Sequence, residues 1–526
     1  MSNKGRGIRF QYSGYVIFAV QLFSVATGLI FTLLLTRNMS TKEYGVWTNI
    51  FDYIGYFTLF SGLLPFWATR FVARHKEGTV RTNTLAQLFI GLVSMAVYFP
   101  IIFLIYTYAI APKIAAFTTA DYLPIFLIAG TYILTYYMIT CFEAILQPKK
   151  PEALGYGLLI EELVKVGVAL VLILGLKQLF LGAVLALVLS CYVQVSYYVY
   201  LLRDDFKEKT NWSYLKEWIK GSTVIAYNAV GSQLLSFVLI MLFFFGGPTT
   251  RAYYQAAFSF TSVIGYSISL SIALYPKLLE KTCTEEQVGT SFRTVMMLAI
   301  PLTAIAMVMS VSFLSILNVA YGVAWPVLIA LSIYTLLGLV SLFYSNCVLG
   351  VEAFDAGGKI HLRELFRSRI FKLFSLPYIQ AAIELPLAYF VLTRLPIANS
   401  VQGAVYVIVI MIGVQVSTFG GLYWFMRRHV KIPVAWASLG KYALCAVMMG
   451  ILMLLIPTTT TLLFTIGKAI VGFGIYVVLL LAIDNQARQL IRSIWKEIKD
   501  TIRQFTSRND ERDVFSGENG VKPTEN

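Results

Sequence analysis

Seven ionisable side chains stand inside otherwise apolar stretches: Asp52, Glu143, Glu161, Glu162, Lys165, Glu384 and Lys468. Hydrocarbon tolerates a bare charge poorly, at a cost of about 3 kcal/mol on insertion scales, so such residues face partners, water-filled space or a ligand. Glu161 and Lys165 are spaced i, i+4 with the acid on the N-terminal side, the favourable order for a helical pair. That spacing fits a self-neutralised structural pair. It equally fits a cavity site in which the ammonium meets a phosphate and the carboxylate takes up a proton or cation. Glu162 does not share that face and requires a partner of its own. Glu143, near one end of its stretch, either borders the same space or reaches back to the interface. Glu384 lies between Pro377 and Pro386, where freed backbone groups call for a polar lining, and is a candidate for a coupling cation, proton or sodium. Asp52 and Lys468 are expected in the same half of the bilayer and could pair with each other.

The elements that must position these groups are membrane helices. Hydrophobic residues make up 58% of the 526, and charged residues only 13%, about half the share of a soluble domain. Apolar runs of bilayer length occur near 13–35, 44–66, 85–110, 122–145, 153–175, 177–202, 222–246, 252–276, 292–315, 326–350, 370–394, 402–426, 436–456 and 461–483. The expected fold is therefore an all-α integral membrane protein of about fourteen transmembrane helices. The first run is too long for the apolar core of a signal peptide and lacks a small-x-small cleavage site, so it reads as an uncleaved span. The five cysteines and three histidines form no ligand spacing; no metal and no cofactor is expected.

Charge bias in the short loops sets direction. With the N-terminus inside, 34 of the 42 Lys and Arg residues fall on inner segments, and only Arg37, Lys42, Lys113, Lys177, Arg251 and Arg394 fall on outer loops. Both termini are thus expected in the cytoplasm, the chain being a multi-pass protein of the cell membrane. The same distribution explains the net charge of +15 by basic loops facing anionic membrane lipids, and excludes a nucleic-acid surface, which would gather its cations on one patch. Shifting the chain by 210 residues superposes Ile54-Gly55-Tyr56 on Ile264-Gly265-Tyr266 and Tyr44 on Tyr254. With the basic segment 203–221 as divider, the expected organisation is an N-lobe over 1–205, a C-lobe over 206–430, a terminal helix pair over 431–484, and an amphipathic helix with polar tail over 485–526. Weaker amphipathic stretches precede the seventh and eleventh spans, at 212–219 and 362–371.

The segment LLLTRNMSTKEYGVWTNIF (33–51), followed by FSGLLPFWATRFVA (60–73), resembles the polysaccharide flippases of the multidrug/oligosaccharidyl-lipid/polysaccharide superfamily. Arg37 at the end of span 1, Tyr44-Gly45 opening span 2, Gly62, and Arg70 leading an Arg-aromatic-aliphatic-Ala exit sit where that family carries them. Pro65-Phe66-Trp67 is bulkier than the family's usual small residues. The resemblance implies two six-helix bundles around a central cavity plus a terminal helix pair. It also implies movement of a polyprenyl-linked oligosaccharide from the inner to the outer leaflet by alternating access. Arg37 and Arg70 are read either as structural markers at the membrane surfaces or as ligands.

A multidrug antiporter coupled to a cation, from the same superfamily, is the alternative. A membrane-embedded glycosyltransferase would need acids or bases at a membrane face. The outer loops offer only Glu43 and Asp121, and the inner loops show no His/Asp constellation, so no enzyme is expected.

Overall fold

The computed structural model describes residues 4–271, 284–351, 369–427, 435–457, 460–484 and 488, and every regular element among them is helical. Hydrocarbon offers backbone groups no partner, so each segment must satisfy its own hydrogen bonds. In chain order the helices are α1 (Lys4–Asn38), α2 (Thr41–Phe57), α3 (Leu63–Ala73), α4 (Thr79–Ile114), α5 (Leu123–Lys149) and α6 (Glu152–Ala169). There follow α7 (Leu179–Leu202), the short α8 (Trp212–Gly221), α9 (Thr223–Gly246), α10 (Pro248–Gly265), α11 (Glu285–Val308) and α12 (Ser310–Leu317). The last are α13 (Trp325–Val351), α14 (Arg369–Arg394), α15 (Ser400–Arg427), α16 (Trp436–Leu454) and α17 (Leu462–Ile483).

Ten helices of the described residues are long and apolar enough to cross a membrane: α4, α5, α7, α9, α11 and α13 to α17. Of the other four segments expected to span, the first lies within the continuous helix α1, and three depart from a plain apolar rod. The run 44–66 is broken between α2 and α3. The run 153–175 carries Glu161, Glu162 and Lys165. In the fourth, α10 has 18 residues with Arg251 near its start, and 272–276 lies outside the described residues. Plain apolar helices thus account for ten of the fourteen expected spans among the described residues.

The break between α2 and α3 is built rather than frayed. Ser40 and Glu43 form a reciprocal capping box that starts α2. After Phe57 the helix opens, and side chains of neighbouring helices take the freed carbonyls. Tyr137 Oη donates to the Phe57 carbonyl at 3.1 Å, and Gln87 Nε2 donates to that of Ser61 at 2.9 Å.

Helices of the first half pack mainly on one another, α1 against α6, α6 against α7, α7 against α5, and α5 against α4 and α3. In the second half α13 lies between α10 and α15, α14 between α9 and α15, while α16 leans on α11 and pairs with α17. The two halves meet along a seam where α2 packs on α10, with α1 touching α12. The largest buried apolar cluster runs through both halves across this seam.

The connector at 203–222 is strapped to the first half at its basic face. Gly78 takes a left-handed φ of +75°, and its N–H donates to Glu208 Oε2 at 2.6 Å; Asn211 N–H donates to Thr82 Oγ1 at 2.9 Å. The expected amphipathic stretch forms α8. It buries Trp218 against Phe71, with ring centroids 5.5 Å apart, and leaves Trp212 and Ile219 exposed. Residues 362–368 of the second such stretch, and the expected tail helix apart from Arg488, lie outside the described residues.

Candidate functional site

The seam is assembled from family-motif residues and one ion pair. Gly45 lets α2 touch the start of α10: a Cβ there would lie 2.0 Å from the Pro248 carbonyl oxygen, so only glycine permits the approach. Two turns further on, Arg251 Nε and Nη2 each donate to Asp52 at 2.8 Å. This fork-to-carboxylate geometry is the strong form of the ion pair. Arg251 Nη1 donates to Gln255 in its own helix at 3.1 Å. Both charged side chains are buried, at 3% and 7% exposure, so each depends on the other for solvation.

Around the pair, Arg37 Nε and Nη2 donate to the Ile316 carbonyl at 3.2 and 3.0 Å. Asn318 Nδ2 donates to the Thr36 carbonyl at 3.3 Å. Tyr321 packs edge-on against both Tyr44 and Tyr253. All these contacts lie towards the charge-poor face, where the α1–α2 and α9–α10 turns sit. Nearer the basic face the halves also touch, through Tyr56 Oη donating to the Gln233 carbonyl at 3.2 Å and Trp67 Nε1 donating to Ser222 Oγ at 3.1 Å.

Two expectations change here. Asp52 does not pair with Lys468; that ammonium is exposed and donates to the Ile456 carbonyl at 2.7 Å, closing the turn between α16 and α17. Arg251, counted from sequence as a loop cation, is a buried partner across the seam. The reason is local: Gly247 at φ +91° turns the chain, and Pro248 starts α10 at once, so the arginine lies already one turn into a packed helix.

The carboxylates of α6 form a second group. Lys165 Nζ lies 2.9 Å from Glu162 and 3.4 Å from Glu161. The i, i+3 partner is thus the shorter contact, and Glu162 does share the lysine, contrary to the sequence expectation, because the long lysine stem reaches both faces. Glu162 also accepts from Ser24 and Thr27 of α1, both at 2.6 Å. Glu143 accepts from Tyr198 Oη at 3.4 Å, and Tyr198 accepts from Gln194 Nε2 at 3.1 Å. Gly157 makes room for that tyrosine; a Cβ would lie 2.2 Å from its Oη.

Glu384 stands apart in α14. It is 2% exposed, its Oε1 accepts no hydrogen bond, and no cation lies within ion-pair distance among the described residues. Arg70 lies over the Phe66 ring at 4.3 Å and near Trp67 at 5.5 Å. Sequence reading missed Ser24, Thr27, Tyr198 and the role of Arg251; hydroxyls in apolar helices resemble ordinary helix filler until the neighbouring helix is known. Glu43 and Asp121, the acids of the expected outer loops, serve as a helix cap and as an acceptor for Tyr106 Oη at 2.9 Å.

Among the described residues the chain is all-helical, two packed halves with buried charges at the seam and along α6 and ten helices long and apolar enough to cross a membrane, which is the class of a multi-pass membrane protein. The chain belongs to the polysaccharide biosynthesis protein family, which it matches over residues 13–280, just over half its length. No curated protein matches it by sequence. Among solved structures it is similar to "Lipid II flippase MurJ, inward closed conformation", with 13% identity, TM-score 0.61, covering 91% of this chain and 100% of that one. It is also similar to an inward-facing multidrug resistance MATE family transporter, with 12% identity, TM-score 0.58, covering 79% and 98%. A superfamily transporter from Pyrococcus furiosus matches with 15% identity, TM-score 0.51, covering 80% and 94%. At such identities the likeness is one of fold.

Proposed function

We propose that this protein is a flippase that moves a polyprenyl-linked oligosaccharide from the inner to the outer leaflet of the cell membrane by alternating access. The observation that carries the reading is the seam. Two helices of opposite halves, α2 and α10, are zipped together towards one face by a backbone contact, a bidentate ion pair and an aromatic cluster. Such a seam is a gate between two bodies that rock against each other around a site near the midplane. On this reading the bodies are an N-lobe over 1–205 and a C-lobe over 206–430, with the pair 431–484 beside them, fourteen spans in all. The termini are cytoplasmic, so the charge-poor face is outer and this state is closed to the outside.

The polar head of a lipid-linked glycan needs hydrogen-bonding groups shielded from hydrocarbon, which Asp52, Arg251 and the Glu143–Glu161–Glu162–Lys165 group supply along the first half and seam. Glu384 and Glu161 are the carboxyls assigned to a coupling cation, proton or sodium. In proteoliposomes carrying lipid-linked glycan, Glu384→Gln and Glu161→Gln are each expected to lower translocation at least tenfold, and full activity in both removes the coupling assignment. A cation-coupled multidrug antiporter is the second reading, since the α6 carboxylates suit a cationic drug. Rescue of a flippase-deficient strain supports the first; drug resistance without rescue supports the second.

A further inference from the structure

We propose that the free face of α8 is a binding site for anionic phospholipid of the inner leaflet. Trp212, Lys216 and Lys220 meet the headgroup phosphate, and Ile219 lies against an acyl chain. The proposal rests on the assignment of the basic face to the inner leaflet made above.

α8 is docked along one side only. Tyr214 and Trp218 lie on Phe71, with ring centroids 5.0 and 5.5 Å away, and Gly221 is so close to Trp67 that a Cβ would lie 2.3 Å from its ring. These three positions follow i, i+4 and i+7, the stripe a helix presents to one neighbour. At about 100° per residue, Lys216 and Lys220 fall opposite that stripe. Trp212 and Ile219 fall together on one side of the lysines, and Glu217 falls on the other. Trp212 and Ile219 are 53% and 59% exposed, and Lys216, Glu217 and Lys220 are exposed as well. An aromatic and an aliphatic side chain left open beside two cations suit the surface of an anionic membrane.

The contacts also fix the depth of the helix. From Tyr214 to Ser222 the partners move along the α3 segment, from Lys76 and Phe71 at the basic face to Trp67 and the Leu63 carbonyl. α8 therefore slants from the basic face into the membrane, with Trp212 nearest the headgroups and Ile219 about two turns deeper. Side chains of a helix lean towards its N-terminus, so Lys220 reaches back towards Lys216. Its ammonium stays at the phosphates while its stem covers apolar surface. Charge complementarity selects the class of lipid. Lys149 and Lys207 nearby are paired with Asp205 and Asp204 at 2.6 and 2.8 Å, whereas no carboxylate pairs with Lys216 or Lys220 among the described residues. Two ammoniums without an acid attract an anionic headgroup; a zwitterionic one brings a cation of its own and gains less.

The test uses the full chain in nanodiscs of phosphatidylcholine that carry a minor fraction of brominated phosphatidylglycerol or, at the same fraction, brominated phosphatidylcholine. Bromine quenches indole fluorescence on contact, and the share due to Trp212 among the eight tryptophans is the difference between wild type and Trp212→Phe. That share is expected to be quenched at least fivefold more strongly by the brominated phosphatidylglycerol. Lys216→Gln/Lys220→Gln is expected to bring the two lipids within twofold of each other, and Lys216→Arg/Lys220→Arg to keep the preference. Equal quenching by the two lipids in the wild-type background, no quenching by either, or a preference that survives the glutamine variant overturns the proposal. Where the double glutamine variant is not monodisperse, Lys216→Gln alone decides: at least a halving of the preference supports the site, and no change overturns it. Nanodiscs hold no cargo and offer the same lipids on both faces, so the readout depends on neither transport nor orientation. A chain that binds this lipid but moves no glycan overturns only the flippase reading.

Discussion

Gly45 and Pro248 are in backbone contact, and a side chain at position 45 has no room while α2 and α10 lie together. Gly45→Val is expected to hold the seam apart, so that Thr48→Cys, buried in the native protein, reacts with a membrane-impermeant maleimide at least tenfold faster than in the glycine background; an unchanged rate contradicts the seam as described. The ion pair beneath makes a related demand. Arg251→Ala leaves Asp52 buried without its cation, a loss of about 3–5 kcal/mol for a broken buried pair. Thermal unfolding in detergent is expected to shift down strongly, with the double variant Arg251→Ala/Asp52→Ala recovering part of the shift. The sequence makes Asp52 conspicuous as a charge in an apolar run, but its partner lies 199 residues away in what reads as a loop. Hydropathy marks where a charge is expensive and carries no information on which distant charge offsets it, so the apolar runs alone point from Asp52 to Lys468 rather than to Arg251.

At the scale of elements, the three segments that depart from plain apolar rods are the informative ones. The α2–α3 break, the charged α6 and the arginine-led α10 all lie where the first half packs on itself most tightly or meets the second. Their irregularity is sustained by named side chains. Gln87→Leu removes the donor to the Ser61 carbonyl and leaves a buried acceptor unmet, worth about 1–3 kcal/mol. A lowered unfolding temperature with unchanged oligomeric state, measured by light-scattering-coupled chromatography, is the expected outcome, and no change would mean that the break is satisfied otherwise. Segment positions were legible from apolar runs to within a few residues, because length and hydrophobicity decide insertion. The break was not: residues of the types of Thr58, Ser61 and Gly62 also occur inside continuous membrane helices, and the groups that make an interruption tolerable, Tyr137 and Gln87, belong to other helices.

For the whole molecule, the 34-to-6 division of basic residues supports the assignment of the zipped face to the outside, and the 210-residue shift that pairs Tyr44 with Tyr254 pairs α2 with α10. Those two helices are the pair that meets at the seam. On the proposed two-lobe reading, equivalent helices brought together form a hinge plane between the rocking halves. Translocation of a lipid-linked glycan across proteoliposomes, measured with Asn38→Cys and Val319→Cys joined by a short thiol crosslinker, tests this directly. The account predicts transport before crosslinking, loss of at least nine-tenths of it when the seam is tied, and recovery once a cleavable linker is cut. Undiminished transport through a tied seam would contradict it.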